Sequence, residues 1–158
     1  MPDRINRIKE DFSELFGTSP AVIVKGPGRV DLMGSHTDYN DGFILTMTID
    51  RDTWIAARPR DDGRIRLHSL NVQGGGEFDL AQIEFNRRAR WTNYMAGVVK
   101  IVQAAGYTVR GFDALVDTTL PVASGPSSSA ALEMAAEELS PLATGTVVWT
   151  SASKPRTV

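Results

Sequence analysis

The spacing of apolar residues predicts a helix at the start of the chain and several strands after it. Ile5, Ile8, Phe12, Leu15 and Phe16 recur at helical spacing before Gly17, a pattern typical of an amphipathic helix that packs on a sheet and ends at a glycine. The turn residues Asp61-Asp62-Gly63 predict a hairpin between two of the strands. Strand-like segments lie at Ala21–Lys25, Phe43–Ile49, Trp54–Arg60 and Arg64–Leu70.

The second half of the chain continues with a helix and a strand. Phe112–Thr119 reads as a strand. Gly74-Gly75-Gly76 lacks the strand-to-helix context of a nucleotide site, so we interpret it as a flexible loop. The pattern as a whole predicts the α+β class, with an antiparallel or mixed sheet packed against helices. The helix lies before the strand Phe112–Thr119, and one apolar stripe predicts its core face. The stripe consists of Trp91, Tyr94, Met95, Val98, Val99 and Val102.

Composition narrows the class of protein. A length of 158 residues with 42% hydrophobic content suffices for one modest core. The net charge of −2 and pI near 5.7 argue against nucleic acid or an anionic membrane as the main partner. The lack of cysteine and the presence of only two histidines exclude disulfides and a His-based metal cluster. Without a membrane-length apolar run or a signal peptide, we expect a cytoplasmic protein.

A run of small and hydroxyl residues separates the last predicted strand from a helix. This run, Ser124–Ala131, is followed by good helix formers up to Leu139. Glycine and serine let the backbone approach an anion, and the first amides of a helix are unpaired donors at the positive end of its dipole. The run therefore predicts a phosphate-binding loop, although a simple helix cap has the same composition.

A second polar stretch, Gly26–Gly42, lies between two apolar runs. Arg29 can contact phosphate or carboxylate in a bidentate way. His36, Asp38 and Asn40 alternate, which in an extended segment would aim them to one face. The alternative is that Asp38–Gly42 forms only a hairpin turn.

Together the two motifs resemble the galactokinase branch of the GHMP small-molecule kinases. The family signature Gly-Arg-x-Asn-Leu-Ile-Gly-Glu-His-Thr-Asp-Tyr-Asn corresponds to Gly28–Asn40, and the family phosphate loop Pro-x-Gly-x-Gly-Leu-Ser-Ser-Ser-Ala is similar to Pro121–Ala130. Trp91–Val98 also resembles a helix of that family. The resemblance covers Ile5–Leu139. It implies the N-terminal GHMP-kinase fold, related to ribosomal protein S5 domain 2 and truncated here, as a partial domain over residues 1–139.

The resemblance also implies a reaction and a site. ATP would phosphorylate the anomeric hydroxyl of galactose, with Mg²⁺ as cofactor. Arg29 would lie near the reacting hydroxyl and the γ-phosphate as the catalytic residue. The phosphates would be held by Ser124, Gly125, Ser127, Ser128 and Ser129, with the Ser128 hydroxyl on Mg²⁺. The sugar would be bound by Ser35, His36, Asp38 and Tyr39.

Four of the departures from the family pattern in these motifs bear on the expected site. Ser35 replaces a glutamate that accepts from a sugar hydroxyl, which opens the site to a related sugar. Asp31 replaces an asparagine and adds a negative charge near the expected phosphate path. In the phosphate loop, Ala123 replaces a glycine, and Pro126 replaces a leucine and removes an amide donor. We therefore expect weaker phosphate binding than in the family.

Nothing after Leu139 resembles the family. Residues 140–158 are rich in Ser, Thr, Gly and Pro and contain no acid, so we expect an atypical tail, frameshifted or disordered. In the family, the catalytic aspartate and the carboxylate that ligates Mg²⁺ lie beyond the Ser-rich helix. After Ala130 the sequence has only Glu133, Glu137 and Glu138 as acids. We therefore expect an inactive fragment. A non-catalytic sugar and ATP sensor, or a small interaction module, stays open, as does the oligomeric state.

Overall fold

A computed structural model describes residues 2–34, 36–37, 40–121, 131–136 and 139. Five strands form one sheet in the order β1-β2-β5-β3-β4. All neighbours are antiparallel except β3 and β5, which are parallel. The expected α+β class with a mixed sheet is confirmed. The elements are α1 Pro2–Phe16, β1 Val22–Met33, β2 Leu45–Arg60, β3 Arg64–Ser69, β4 Gly76–Asp79, α2 Thr92–Ala104 and β5 Gly111–Thr118.

Helix α1 covers one face of the sheet, as its apolar spacing predicts. Ile8 and Phe12 are fully buried against Ala56 of β2 and Leu115 of β5. The helix ends at Gly17, whose φ of 71° is the left-handed conformation that glycine adopts at helix C-termini. The first predicted helix is therefore confirmed in its extent and in its packing.

The other face of the sheet is covered by α2 and by a helical segment at residues 131–136. Met95 and Val99 of α2 pack in the larger core with strand residues such as Ile55 and Val116. Tyr94 was expected in this core, but 46% of it is exposed. The buried stripe of α2 is instead Thr92, Met95, Ala96, Val99 and Val102.

The predicted hairpin across Asp61-Asp62-Gly63 is wrong. β2 and β3 do not pair with each other, because β5 lies between them and pairs with both. β5 is buried from Gly111 to Asp117, so it needs a covered central position that an edge strand cannot offer. The short connection between β2 and β3 passes over the start of β5. A side chain at Gly111, the first residue of β5, would overlap the carbonyl oxygen of Arg64.

The strands of the polar motif are longer than the pattern predicts. β1 was expected to end at Lys25 but continues to Met33. The segments Phe43–Ile49 and Trp54–Arg60 form one strand, β2, with an irregularity opposite Gly28. Strand β4 was missed, since it has four residues and starts at the last glycine of the triplet. Among the described residues, no helix is long and apolar enough to cross a membrane.

Candidate functional site

The first half of the polar motif lies on β1 and pairs with β2. Arg29 is opposite Thr48, and Asp31 is opposite Thr46. Alternation along the strand places Arg29 and Asp31 on one face of this pair. Their Nε and Oδ1 atoms are 4.0 Å apart. The Asp31 Oδ1 atom is buried and accepts no hydrogen bond within the described part of the chain, so Arg29 only partly compensates this added carboxylate.

Thr37 organises the turn that connects β1 to β2. Its hydroxyl lies 2.9 Å from the Gly34 carbonyl oxygen and 2.6 Å from the Phe43 carbonyl oxygen, and it can donate its hydrogen to either of them. Its own carbonyl accepts from the amide of Gly42 at 2.7 Å. Gly34 has φ of 86°, and a Cβ there would lie 2.8 Å from the Thr37 hydroxyl. The turn is therefore closed around one threonine side chain.

The expected alternation of His36, Asp38 and Asn40 in an extended segment is wrong for the described residues. His36 and Thr37 lie in a turn. The side-chain amide of Asn40 donates to the carbonyl oxygen of His36 at 2.9 Å, which is a local contact that an extended strand cannot make. His36 is exposed on this turn. The hairpin-turn alternative therefore describes the local backbone better than the extended one.

Residues at the Ser-rich stretch contact β1, which is the strand that carries Arg29. A Cβ at Gly28 would lie 2.5 Å from Leu120 Cδ2, and a Cβ at Gly26 would overlap the carbonyl oxygen of Ala131. Leu120 lies before the Ser-rich stretch and Ala131 is its last residue, so described residues on both sides of residues 122–130 lie against β1. At Gly26 only glycine permits this approach, because a side chain there would displace the backbone of the helical segment.

Several predicted site residues lie outside the described residues, and their roles stay predictions. Those of the sugar site are Ser35, Asp38 and Tyr39, and those of the phosphate loop are Ser124, Gly125, Ser127, Ser128 and Ser129.

The described residues next to the Ser-rich stretch include a helical segment and a cation. Residues 131–136 are helical, and a helix next to the stretch is what the predicted phosphate loop requires. Arg29 supplies a cation on the adjacent strand, with 45% of its side chain exposed. For Mg²⁺, the predicted donor Ser128 lies outside the described residues. Asp31 is the carboxylate of the motif on that strand.

Sequence reasoning missed a group of charged residues beside the strand end that enters the Ser-rich stretch. Arg4 of α1 donates to Asp52 of β2 at 2.5 Å and to Asp117 of β5 at 2.7 Å. Both carboxylates are nearly buried. Burial would raise the pKa of Asp52, but hydrogen bonds from Lys25 and Arg4 outweigh it and hold the pKa below 3.8. The available signal was an acid inside each of two apolar strands.

Comparison with known proteins gives matches in sequence and in structure. Residues 10–59 match the galactokinase galactose-binding signature. Galactokinase of Chloroflexus aurantiacus is 48% identical over 124 residues, which are 78% of this chain and 32% of the relative. Galactokinase of Clostridium perfringens is 40% identical over 133 residues, 82% of this chain and 34% of that one.

Two solved structures illustrate how far the likeness in fold extends. The crystal structure of Lactococcus lactis galactokinase complexed with galactose superposes with a TM-score of 0.77 at 37% identity, over 87% of this chain and 37% of that one. A mevalonate kinase matches with a TM-score of 0.60 at 17% identity, over 76% of this chain and 40% of its own, which shows a shared fold alone.

The sheet and its helices thus have the N-terminal fold of the GHMP small-molecule kinases. Within that class, the chain matches the N-terminal part of galactokinases. The chain spans about a third of the length of the curated relatives it matches.

Proposed function

We propose that this chain supplies the sugar-binding and ATP-binding residues of a galactokinase-like sugar kinase. The reaction is transfer of the ATP γ-phosphoryl group to the anomeric hydroxyl of D-galactose. The observation that supports this most is the contact of Leu120 and Ala131, on either side of residues 122–130, with Gly28 and Gly26 of the strand that carries Arg29. A cation and a helix close to the phosphates would provide the positioning and charge neutralisation that phosphoryl transfer needs.

The proposal assigns the domain organisation as well. Residues 1–139 form the sugar- and ATP-binding domain, and residues 140–158 form an atypical tail. Leu139 supports this boundary, since it is buried in the larger core at 2% exposure. A cytoplasmic location belongs to the same proposal and follows from composition alone.

Each predicted residue has one role in this proposal. Arg29 orients the reacting hydroxyl and balances charge on the transferred group. His36 and Asp38 hydrogen-bond sugar hydroxyls, Tyr39 forms the pocket wall, and Ser35 leaves the site tolerant of a related sugar. The backbone from Ser124 to Ser129 holds the phosphates, and the Ser128 hydroxyl would hold Mg²⁺. When bound, ATP supplies the phosphoryl group and Mg²⁺ neutralises its charge.

We propose that the chain of 158 residues binds ligands without turning them over, because no matched position supplies the family's catalytic aspartate. In that case the chain acts as a binding unit, as the sensor hypothesis also requires. An assay of galactose-dependent ADP release distinguishes turnover from ligand binding alone. Sustained release by the purified chain would show that this part of the proposal is wrong.

The test of the proposed function is ligand binding by calorimetry. The purified chain is expected to bind galactose and an ATP analogue, and Arg29→Met is expected to weaken ATP binding by about tenfold or more, since it removes a charged hydrogen bond. Arg64→Met is the matched control, because Arg64 forms an exposed ion pair with Glu77 on the far strands. Absence of binding for both ligands in the unaltered chain would contradict the proposal.

A further inference from the structure

Two carboxylates and two cations form a cluster between α1 and one end of the sheet. We name Arg4, Lys25, Asp52 and Asp117 the Arg4 cluster. Arg4 bonds both carboxylates, and its Nη2 also donates to the backbone oxygen of Asp117 at 3.0 Å. Lys25 Nζ lies 3.0 Å from the second carboxylate oxygen of Asp52. The cluster therefore joins α1, β1, β2 and β5 through one guanidinium and one ammonium group.

The cluster is continuous with the segment that enters the Ser-rich stretch. The backbone of Asp52 exchanges hydrogen bonds with Thr119: the Thr119 amide donates to the Asp52 oxygen at 2.9 Å, and the Asp52 amide donates to the Thr119 hydroxyl at 3.0 Å. Asn71 donates to Asp117 at 3.3 Å and accepts from the Thr118 amide at 2.6 Å. Both carboxylates are thus connected to the last residues before the stretch.

Three consecutive amides depend on this arrangement. Those of Thr118, Thr119 and Leu120 are bonded to Asn71, Asp52 and the Thr118 hydroxyl respectively. Asp52 belongs to β2, the regular neighbour of β5, whereas the other two acceptors are side-chain oxygens outside that ladder. The segment Thr118–Leu120 is therefore held partly by Asp52 and partly by Asn71, and Arg4 bonds the side chain of Asp52 and that of Asp117, to which Asn71 donates.

Removal of Arg4 would leave two nearly buried carboxylates with only partial compensation. The side chains of Asp52 and Asp117 are 10% and 4% exposed. Lys25 remains close to Asp52, whereas among the described residues Asp117 keeps an ion pair with Arg7, at 3.7 Å and with 60% of the Arg7 side chain exposed. A buried charge that loses its partner is strongly unfavourable, so the two strands would move to hydrate these groups.

We infer that Arg4 is a positioning residue that fixes the entry of the phosphate-binding loop through Asp52, Asp117 and Asn71. The effect on nucleotide binding rests on the proposed function, whereas the effect on Thr118–Leu120 does not. We assign Arg4 a positioning role and no ligand contact, because it lies on α1, bonds the cluster and lies over the Trp54 ring at 5.4 Å.

The test compares Arg4→Met with Arg64→Met by hydrogen exchange and by ligand binding. In Arg4→Met, amides of residues 118–120 should exchange at least about tenfold faster, while β3 and β4 amides keep their rates. ATP-analogue affinity should fall by about tenfold because the loop entry is displaced, and galactose affinity should stay within about twofold. Arg64→Met should change neither.

Asn71→Ala gives a second, milder route to the same segment. It removes the acceptor of the Thr118 amide and one donor to Asp117 but leaves Arg4 paired with both carboxylates, so it is expected to accelerate exchange at Thr118 even if Arg4→Met does not fold. Arg4→Lys keeps a cation at this position, so its exchange at residues 118–120 should lie between that of the unaltered chain and that of Arg4→Met.

Each outcome decides the inference. Unchanged exchange at residues 118–120 in a folded Arg4→Met would overturn it, and so would a uniform increase across the sheet, which indicates a general loss of stability. Local acceleration in a chain that never binds an ATP analogue would support the positioning role and contradict the proposed function instead.

Discussion

Asp52 shows how one side chain connects the chemistry of a strand to its fold. It is an acid inside β2, with 10% of its side chain exposed. Burial raises the pKa of the carboxyl, while hydrogen bonds from Lys25 and Arg4 lower it, and the net result is a pKa below the ordinary 3.8. Folding therefore stabilises the ionised form of the Asp52 carboxyl relative to its protonated form.

This shift predicts a pH dependence of stability. A carboxyl with a depressed folded-state pKa contributes stability that is fully present above its unfolded pKa near 3.8 and is lost as pH falls through the folded value. Asp52→Asn should lower the free energy of unfolding by about 1–3 kcal/mol at pH 7. It should also reduce the loss of stability as pH falls below about 3.8. Urea titrations at several pH values measure both effects.

Asp61→Asn is the matched control for this prediction. Asp61 is exposed in the turn between β2 and β3, so its substitution should leave the pH dependence as it is. An acid limb that is equally steep in Asp52→Asn and in the unaltered chain would contradict the role of the Arg4 cluster in stability.

At the residue scale, sequence reasoning located candidates without locating their contacts. Arg29 and His36 were named from motif position, and the structure places Arg29 on a strand and His36 in a turn. Thr37 received no role, although its hydroxyl closes that turn. A hydroxyl that bonds two carbonyl oxygens leaves no periodic signal, because its partners are set by backbone geometry and not by spacing along the chain.

At the scale of elements, β1 and the helical segment 131–136 approach closely at a glycine. A Cβ at Gly26 would overlap the Ala131 carbonyl oxygen and lie 3.1 Å from the Ala135 nitrogen. Both neighbours are backbone atoms, so no side-chain movement relieves the overlap. The contact determines how the helix sits on the strand that carries Arg29.

A pair of glycine substitutions tests this contact. Gly26→Ala should destabilise the chain by about 1–3 kcal/mol or more, since the strand and the helical segment must separate. Gly97→Ala should stabilise it by about 0.5–1 kcal/mol, because Gly97 lies inside α2 and a Cβ there meets no atom within 4 Å. Chemical denaturation measures both. Equal effects of the two substitutions would show that the approach at Gly26 is unimportant.

The elements themselves were predictable where one physical signal was sufficient. α1 follows from its apolar periodicity, and β5 from a short, mostly apolar segment. The pairing of β2 with β5 was not predictable from the turn at Asp61-Asp62-Gly63, because local turn chemistry cannot reveal a strand inserted 50 residues later in the chain. β1 was cut short because its second half carries Arg29 and Asp31, whose polarity resembles a loop.

At the scale of the whole molecule, the far end of the β1–β2 pair extends beyond the rest of the sheet. β5 pairs with β2 only from Thr53 onward, so residues 29–33 and 45–48 form a two-stranded ribbon. Such ribbons are marginally stable in water by themselves. Around this ribbon large apolar side chains are exposed, namely Val30, Leu32, Met33, Phe43, Leu45 and Met47, at 37–91%.

This exposed apolar surface predicts concentration-dependent self-association of the purified chain. Exposed patches of this kind favour association, and a two-stranded ribbon has unpaired edges. Light scattering after size exclusion should show an average mass that rises above 17.2 kDa with concentration.

The double substitution Met33→Ser with Phe43→Ser should return the mass towards that of the monomer, since these two side chains are 73% and 91% exposed. Ile101→Ser is the control, because Ile101 is 57% exposed on α2, away from the ribbon. A monomer at all concentrations would contradict the prediction, and an equal effect of the control would show that association does not depend on the ribbon.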